Sequence, residues 1–321
     1  MDKDFLVRVG FSHYNIEDFE SKNIVLRGGE EAILWVHSIS GHGILEQKFL
    51  VDSDYYESDY RSEYSAQSEG VKVAPEVHFK IYSDVNERQF AQFSDHLTHD
   101  ARYLEIGCSF GGVLKRVADF GVDTCHGIEP NEEDVQFVQK MCPGAKVFSS
   151  IIENLELEQE SYDMVASFEV LEHVVSPARV LKKAAGVMRK NGFINIEVPN
   201  HKDLLLSCYK NIFYENFYYH KAHIHYFTRE SLSKLLEVCG FDGEVSSFLM
   251  YPFFNHVFWH QNRGPQSSAQ IAFATPQPAS EESVAGAAIN EFFVQVEKDY
   301  EKLVNQHVVG DTLVYQGKKR E

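Results

Sequence analysis

Long apolar runs, paired cysteines and an excess of basic charge are all missing from this chain of 321 residues. No stretch of eighteen consecutive apolar residues and no secretory leader pattern occurs, so a soluble, cytoplasmic protein without a membrane segment is expected. Cys108, Cys125, Cys142, Cys208 and Cys239 stand singly and far apart. That spacing excludes a zinc knuckle and suits reduced thiols. Lys and Arg number 30 against 48 Asp and Glu, a net charge of −18, and a surface of that sign repels nucleic acid phosphates. DNA and RNA are therefore not the expected partners.

What is present is an alternation of strand-like and helix-like segments. A buried run, Arg102 to Ile106, ends in a loop with Gly107, Gly111 and Gly112, and an amphipathic stretch from Val113 to Phe120 follows. Glycine there lets backbone approach a ligand closely. About twenty residues on, Glu129 closes a second apolar run, Thr124 to Ile128, where a ribose diol needs a bidentate acceptor. The loop departs from the Gly-x-Gly-x-x-Gly pattern because Cys108, Ser109 and Phe110 intervene, leaving less backbone for a pyrophosphate. Glu105 adds a negative charge at the loop's start. Together these favour a cationic or zwitterionic cofactor, and S-adenosylmethionine fits.

The chain at this point resembles the class I S-adenosylmethionine-dependent methyltransferases. The resemblance rests on Leu104-Glu-Ile-Gly-Cys-Ser-Phe-Gly111, Gly127-Ile-Glu-Pro130, Ser161-Tyr-Asp-Met-Val-Ala-Ser-Phe-Glu-Val-Leu-Glu-His173, Lys190-Asn-Gly-Phe-Ile-Asn-Ile-Glu-Val-Pro199 and His225-Tyr-Phe-Thr-Arg-Glu-Ser-Leu232. These segments stand in order with family-like spacing and cover roughly residues 78 to 275. The resemblance implies an α/β, Rossmann-like, mostly parallel seven-stranded sheet whose last strand is antiparallel. It also implies a division into a β-rich N-terminal appendage over 1–75, the methyltransferase domain over 76–276 and a helical C-terminal extension over 277–321.

Finer elements follow from local signals. Short β-type runs are read at Phe5 to Val9, Asn23 to Leu26, Ala32 to Val36 and Lys48 to Val51, separated by glycine turns. The tyrosine-rich acidic stretch Asp52 to Tyr64 reads equally as a loop that orders over a ligand or as a surface linker. Val77 to Leu97 carries helical spacing, and strands are expected at Val245 to Tyr251, at Gln270 to Thr275 as a closing pair, and at Thr312 to Tyr315 as an added edge.

For the cofactor, Gly107 and Gly111 are expected to line the methionine and ribose side, with Cys108 and Ser109 beside them. Glu105 would face the methionine ammonium and Glu129 the ribose hydroxyls. Adenine would stack near Ile128 or Pro130 and meet the loop Ser150-Ile151-Ile152, and Phe168 with Glu169 would border the methyl group. Two segments carry groups able to accept a proton. In the first, Glu169, Glu172 and His173 would share one face of a helical turn. A similar Glu-x-x-Glu-His, with a later histidine, binds a divalent metal in ubiquinone-biosynthesis O-methyltransferases and small-RNA 2′-O-methyltransferases. The resemblance thus offers Mg or Mn held by Glu169, Glu172, His173 and His223, while relatives without metal use the same residues for structural hydrogen bonds. The second segment, Phe213 to Phe227, sets three histidines in an aromatic wall. Sugar methyltransferases of bacterial surface-polysaccharide pathways resemble it there, which makes His225 or His223 the expected general base. The expected partner is a small-molecule substrate, a carbohydrate methylated on a hydroxyl. C-methylation of a keto-sugar comes second, and a flat acceptor such as a quinone also suits the wall. A non-catalytic scaffold would show a ruined cofactor loop, and this loop is intact.

Overall fold

The computed structural model describes residues 1–50, 74–276, 279–280 and 283–320. The stretch Asp52 to Tyr64 lies outside the described residues. Among the described residues there are two sheets, and both join strands distant in sequence.

The N-terminal sheet contains β1 (Phe19–Val25), β2 (Glu31–His37), β3 (Gly43–Leu45) and, much later in the chain, β9 (His225–Tyr226), all antiparallel. Gly28 and Gly29, at φ of 103° and 91°, turn β1 into β2 through a backbone region that costs side-chain-bearing residues strain. The runs at both ends of this region differ from the strands read in the sequence. Phe5 to Val9 lies in and just past a helix, Lys3–Arg8, because the Asp2 carboxylate accepts the Phe5 N–H at 2.8 Å and Phe5, Leu6 and Val9 share a buried face. Lys48 belongs to a single 3-10 turn, Gln47–Phe49.

The second sheet runs β10-β11-β8-β7-β4-β5-β6. Its members are β4 (Arg102–Ile106), β5 (Thr124–Glu129), β6 (Lys146–Ser149), β7 (Tyr162–Phe168), β8 (Met188–Pro199), β10 (Phe241–Phe248) and β11 (Thr312–Lys319). β4 to β8 pair in parallel, and β11 is antiparallel to both its neighbours. The expected fold class is thus observed, but the antiparallel strand comes from a different place. Gln270 to Thr275 overlaps a short helix, Ala269–Phe273, capped by the Ser268 hydroxyl. Thr312 to Tyr315 is an interior strand, not an edge, with Leu313, Val314 and Tyr315 all buried. The C-terminal segment therefore carries both a long helix, Val284–Gln306, and a core strand.

Helices cover both faces of this sheet. Val77 to Leu97 forms two helices, Pro75–Ile81 and Ser83–Ala91, broken at Tyr82 and followed by a 3-10 turn. Gly112–Phe120, Glu132–Met141, Pro177–Val187 and Arg229–Val238 are helices, the second capped by the Asn131 side chain, the third begun by Pro177 and the fourth capped by Thr228. Thr228 closes a capping box with Ser231. Val165, Ile194, Ile196 and Val198 on β7 and β8 are fully buried between the two helix layers. Replacing Ile196 by Ala should cost about 2–5 kcal/mol, the range for cavity-forming core truncations.

Candidate active site

A cavity of about 1300 Å³ opens above the carboxyl ends of β4, β5 and β7. Open α/β sheets bind ligands there. The volume exceeds the roughly 300–1,000 Å³ usual for one small-molecule site, so there is room for two ligands side by side.

One half is built from backbone. Gly107 sits at φ 73°, and a Cβ on it would come within 2.4 Å of the Val170 methyl. Ser109, at φ 48°, donates its N–H to Glu129 Oε2 at 2.9 Å, and Asn131 N–H reaches Oε1 at 3.0 Å. Both carboxylate oxygens are thereby fixed in direction and retain lone pairs for a diol. Glu105, Gly107, Cys108, Ser109, Glu129, Pro130, Ser150, Ile151 and Phe168 all line this cavity. Gly111 does not. It caps the helix Gly112–Phe120 at φ 72° and packs against Val138, which a Cβ would meet at 2.8 Å. Burial pushes the Glu105 carboxyl up to about 8, against a weaker opposing effect of the Tyr103 hydroxyl that donates to it at 3.2 Å. A cation beside Glu105 would restore its charge.

The other half is built from side chains. Glu169 to His173 forms a turn after β7, with His173 N–H donating to Val170 O and Glu169 at φ 54°. His173 Nδ1 lies 2.9 Å from the Ala222 carbonyl, which can only accept, so Nδ1 carries the proton and the Nε2 lone pair faces Glu172 Oε1 at 3.6 Å. His223 Nε2 stands 3.9 Å from the same oxygen. One atom from each of Glu172, His173 and His223 falls within a 4.8 Å group. Glu169 is outside that group, so the expected oxygen-rich set contracts to two imidazoles and one carboxylate. Burial raises Glu172 to about 8 and Glu169 well above its usual range, the latter with further repulsion from Glu172 and Glu197. Burial holds His223 well below the usual histidine value, helped by His220 and His173.

His225 is placed elsewhere. It is 1% exposed, does not line the cavity, and has both ring nitrogens engaged: Nε2 donates to Val175 O at 3.2 Å, and His42 Nε2 lies 3.4 Å from Nδ1. Its burial lowers it to about 4. β9 pairs with β3, and that pairing turns His225 into the space between Phe11, His42 and Phe227. A residue two positions from His223 in an extended strand faces the same side only if the chain stays straight, and here it bends at the Ile224 and His225 N–H bonds to Glu172 O.

Several cavity residues escaped the sequence reading. Asn255, His256 and Trp259 come from the helix Phe253–Asn262, a stretch that offered no cap signal on its side chains. Asp311 sits just before β11 and accepts N–H bonds from Met250 and Tyr251.

Residues 79–244 match the family described as the methyltransferase domain. The stretch is more than half of the chain, which belongs to the class I S-adenosylmethionine-dependent methyltransferases. Among similar proteins, the ubiquinone biosynthesis O-methyltransferase of Photobacterium profundum is 30% identical over 132 residues, 39% of this chain and 56% of that one. A probable S-adenosylmethionine-dependent methyltransferase of Mycobacterium tuberculosis is 29% identical over 97 residues, 30% of this chain and 35% of that one. The chain thus spans about half or less of the length of these relatives. A methyltransferase structure from Archaeoglobus fulgidus aligns at 21% identity and a TM-score of 0.48, over 75% of this chain and 99% of that one. Among the described residues no helix is long and apolar enough to cross a membrane.

Proposed function

We propose that the protein transfers a methyl group from S-adenosylmethionine to a hydroxyl of a carbohydrate, with His223 and Glu172 taking up the hydroxyl proton. One observation carries the choice of acceptor. Among the described residues, six buried polar atoms without hydrogen-bond partners, on Glu169 (Oε1), Glu172 (both oxygens), Tyr218 (OH), His223 (Nδ1) and Asn255 (Oδ1), belong to residues that line the same cavity, while others, on His13, Gln92, Arg102, Ser167 and Asn195, lie away from it. Raised carboxyls, a phenol, an imidazole nitrogen and an amide oxygen together can donate and accept, so the matching ligand is rich in hydroxyls, which do both. A polyhydroxylated ring against aromatic walls meets that need, and a quinone does not.

When bound, S-adenosylmethionine supplies an electrophilic methyl group. The residues do the rest. Gly107 and Ser109 give backbone clearance, Glu129 holds a diol in place, and Glu105 faces a positive charge in a pocket that otherwise protonates it. On the acceptor side, His223 is held in its neutral form, the form that can take a proton, and Glu172 at 3.9 Å, in its ionised form, stabilises the imidazolium that results.

A second reading is metal-assisted O-methylation, and a specific geometry favours it. His173 Nε2 and His223 Nε2 both face Glu172 Oε1, and the His173 ring is oriented by a carbonyl on its other nitrogen, as metal-ligating histidines commonly are. Two imidazoles with one carboxylate suit Mn, Fe or Zn better than Mg. Incubation with S-adenosylmethionine and a panel of nucleotide sugars, read by mass spectrometry for the gain of one CH2 unit, tests the function. Persistence of turnover in a chelator supports the histidine base, and its loss with recovery on adding Mn supports the metal.

A further inference from the structure

Two helices face each other across the acceptor half of the cavity, and each offers a pair of residues one turn apart. Ile212–Tyr218 supplies Tyr214 and Tyr218, and Phe253–Asn262 supplies Asn255 and Trp259. All four line the cavity and all are at least nine-tenths buried. The helices are stitched together by Asn211 Nδ2, which donates to Trp259 O at 3.2 Å, and by the Tyr214 and Trp259 rings, whose centroids stand 5.1 Å apart edge to face. Within this frame the Tyr214 hydroxyl is satisfied, donating to Asp203 Oδ2 at 2.7 Å. Tyr218 and Asn255 are not: the Tyr218 hydroxyl and Asn255 Oδ1 are buried and have no partner.

Leaving such atoms unpaired costs roughly 1–3 kcal/mol each, so a fold retains them where a ligand completes them. The helix that carries Asn255 begins nine residues beyond the family match, which ends at 244. We propose that Tyr218 and Asn255 form a specificity subsite that reads hydroxyl groups of the acceptor other than the one methylated. This inference rests on the carbohydrate reading above. The Tyr218 hydroxyl and the Asn255 amide can each donate or accept, so each recognises a sugar hydroxyl in either sense, and the Trp259 and Tyr214 rings supply the apolar side on which a pyranose face lies. The division of labour is spatial. Glu172 and His223 serve the reacting oxygen, while the two helices hold the rest of the ring.

Tyr218→Phe deletes one oxygen, and Asn255→Leu replaces the amide by an apolar group of the same branching and number of heavy atoms. In the full chain, with UDP-glucose, UDP-galactose, GDP-mannose and dTDP-rhamnose as probes, each substitution is expected to raise KM for whichever sugar is methylated by about tenfold, with kcat within about twofold. S-adenosylmethionine affinity, measured by calorimetry, stays unchanged. Without ligand, both variants should melt at or above the wild-type temperature, because a buried unpaired atom has gone; a purely structural role for either residue would lower it. Unchanged KM in both variants overturns the subsite, as does a joint fall in kcat and S-adenosylmethionine affinity. If the wild type methylates hydroquinone and none of the four sugars, the carbohydrate reading fails, and the subsite as a sugar reader falls with it. Should Asn255→Leu not fold, Tyr218→Phe, which deletes a single oxygen, decides alone.

Discussion

Glu129 and Glu172 are both buried carboxyl groups at the carboxyl ends of β5 and β7, the two strands that flank β4, yet the chain treats them in opposite ways. Glu129 has a backbone N–H on each oxygen, at 2.9 and 3.0 Å, before any ligand arrives. Glu172 has no hydrogen bond on either oxygen, and its burial drives it up to about 8. The first is a finished part, stabilised by the loop that holds it. The second is incomplete until a ligand or proton reaches it. The contrast extends to the whole cavity: in the half we propose for the cofactor, backbone N–H groups already pair the carboxylate, whereas in the half we propose for the acceptor, several side chains have no partner. A site that must bind one invariant cofactor can afford prior satisfaction, while a site that must discriminate among acceptors gains from groups that only the right ligand pairs.

The largest expected effect comes from breaking the incomplete half. Glu172→Gln should lower kcat by about 10²–10⁴, the usual contribution of a positioned acid–base group, with S-adenosylmethionine affinity unchanged by calorimetry. An equal loss of cofactor affinity would merge the two halves into one unit. Next comes the charge on the cofactor side. Glu105 is protonated in the free protein below about 8, and a cationic ligand favours its ionised form. Cofactor affinity should therefore rise by about tenfold per pH unit from pH 6 and level off near pH 8, and Glu105→Gln should flatten the curve. The same shift makes a stability statement. Glu105 is raised above its unfolded value, so it stabilises the fold when protonated, and that contribution declines as pH rises from about 4.5 and is gone above about 8. Bound cofactor should thus raise the melting temperature more at pH 8 than at pH 6. Glu129→Ala, which removes charged hydrogen bonds to a diol, should weaken cofactor binding by about 10- to 100-fold.

The same contrast explains what could be read in the sequence. The cofactor loop, Glu129 and the strands around them follow one another within a few dozen residues, so spacing and glycine content expose them. The acceptor half does not work that way. Its residues come from the turn after β7, the loop before β9, a helix at 253–262 and the segment before β11, and only the folded sheet brings them together. His223 and His225 illustrate the limit. Both lie in the same histidine-rich loop, but β3 pairing with β9 buries His225 against His42 and leaves His223 on the cavity. Nothing local to the loop encodes that pairing, because β3 lies about 180 residues earlier. Thr312 to Tyr315 reads as a strand, but its interior place in the sheet escapes the sequence for a related reason. Gln270 to Thr275 and Thr312 to Lys319 are both short apolar runs, and the tertiary register with β8, not propensity, selects the second.

The smallest expected effect sharpens the boundary between the halves. Gly107 belongs to the cofactor loop, but the atom a Cβ there would strike is a methyl of Val170, in the turn that carries Glu169 and Glu172. Two costs are therefore mixed in Gly107→Ala: an alanine held at φ 73°, worth about 1–2 kcal/mol, and a push on the acceptor turn. Val170→Ala removes the second alone. If the halves touch only through this contact, adding Val170→Ala to Gly107→Ala should recover the acceptor-side part, seen as kcat returning toward that of Val170→Ala alone. The melting temperature should stay lowered by the backbone strain. A double variant whose kcat stays as low as that of Gly107→Ala would mean that the glycine acts through the cofactor loop itself, and that Val170 is not the point at which one half reports on the other.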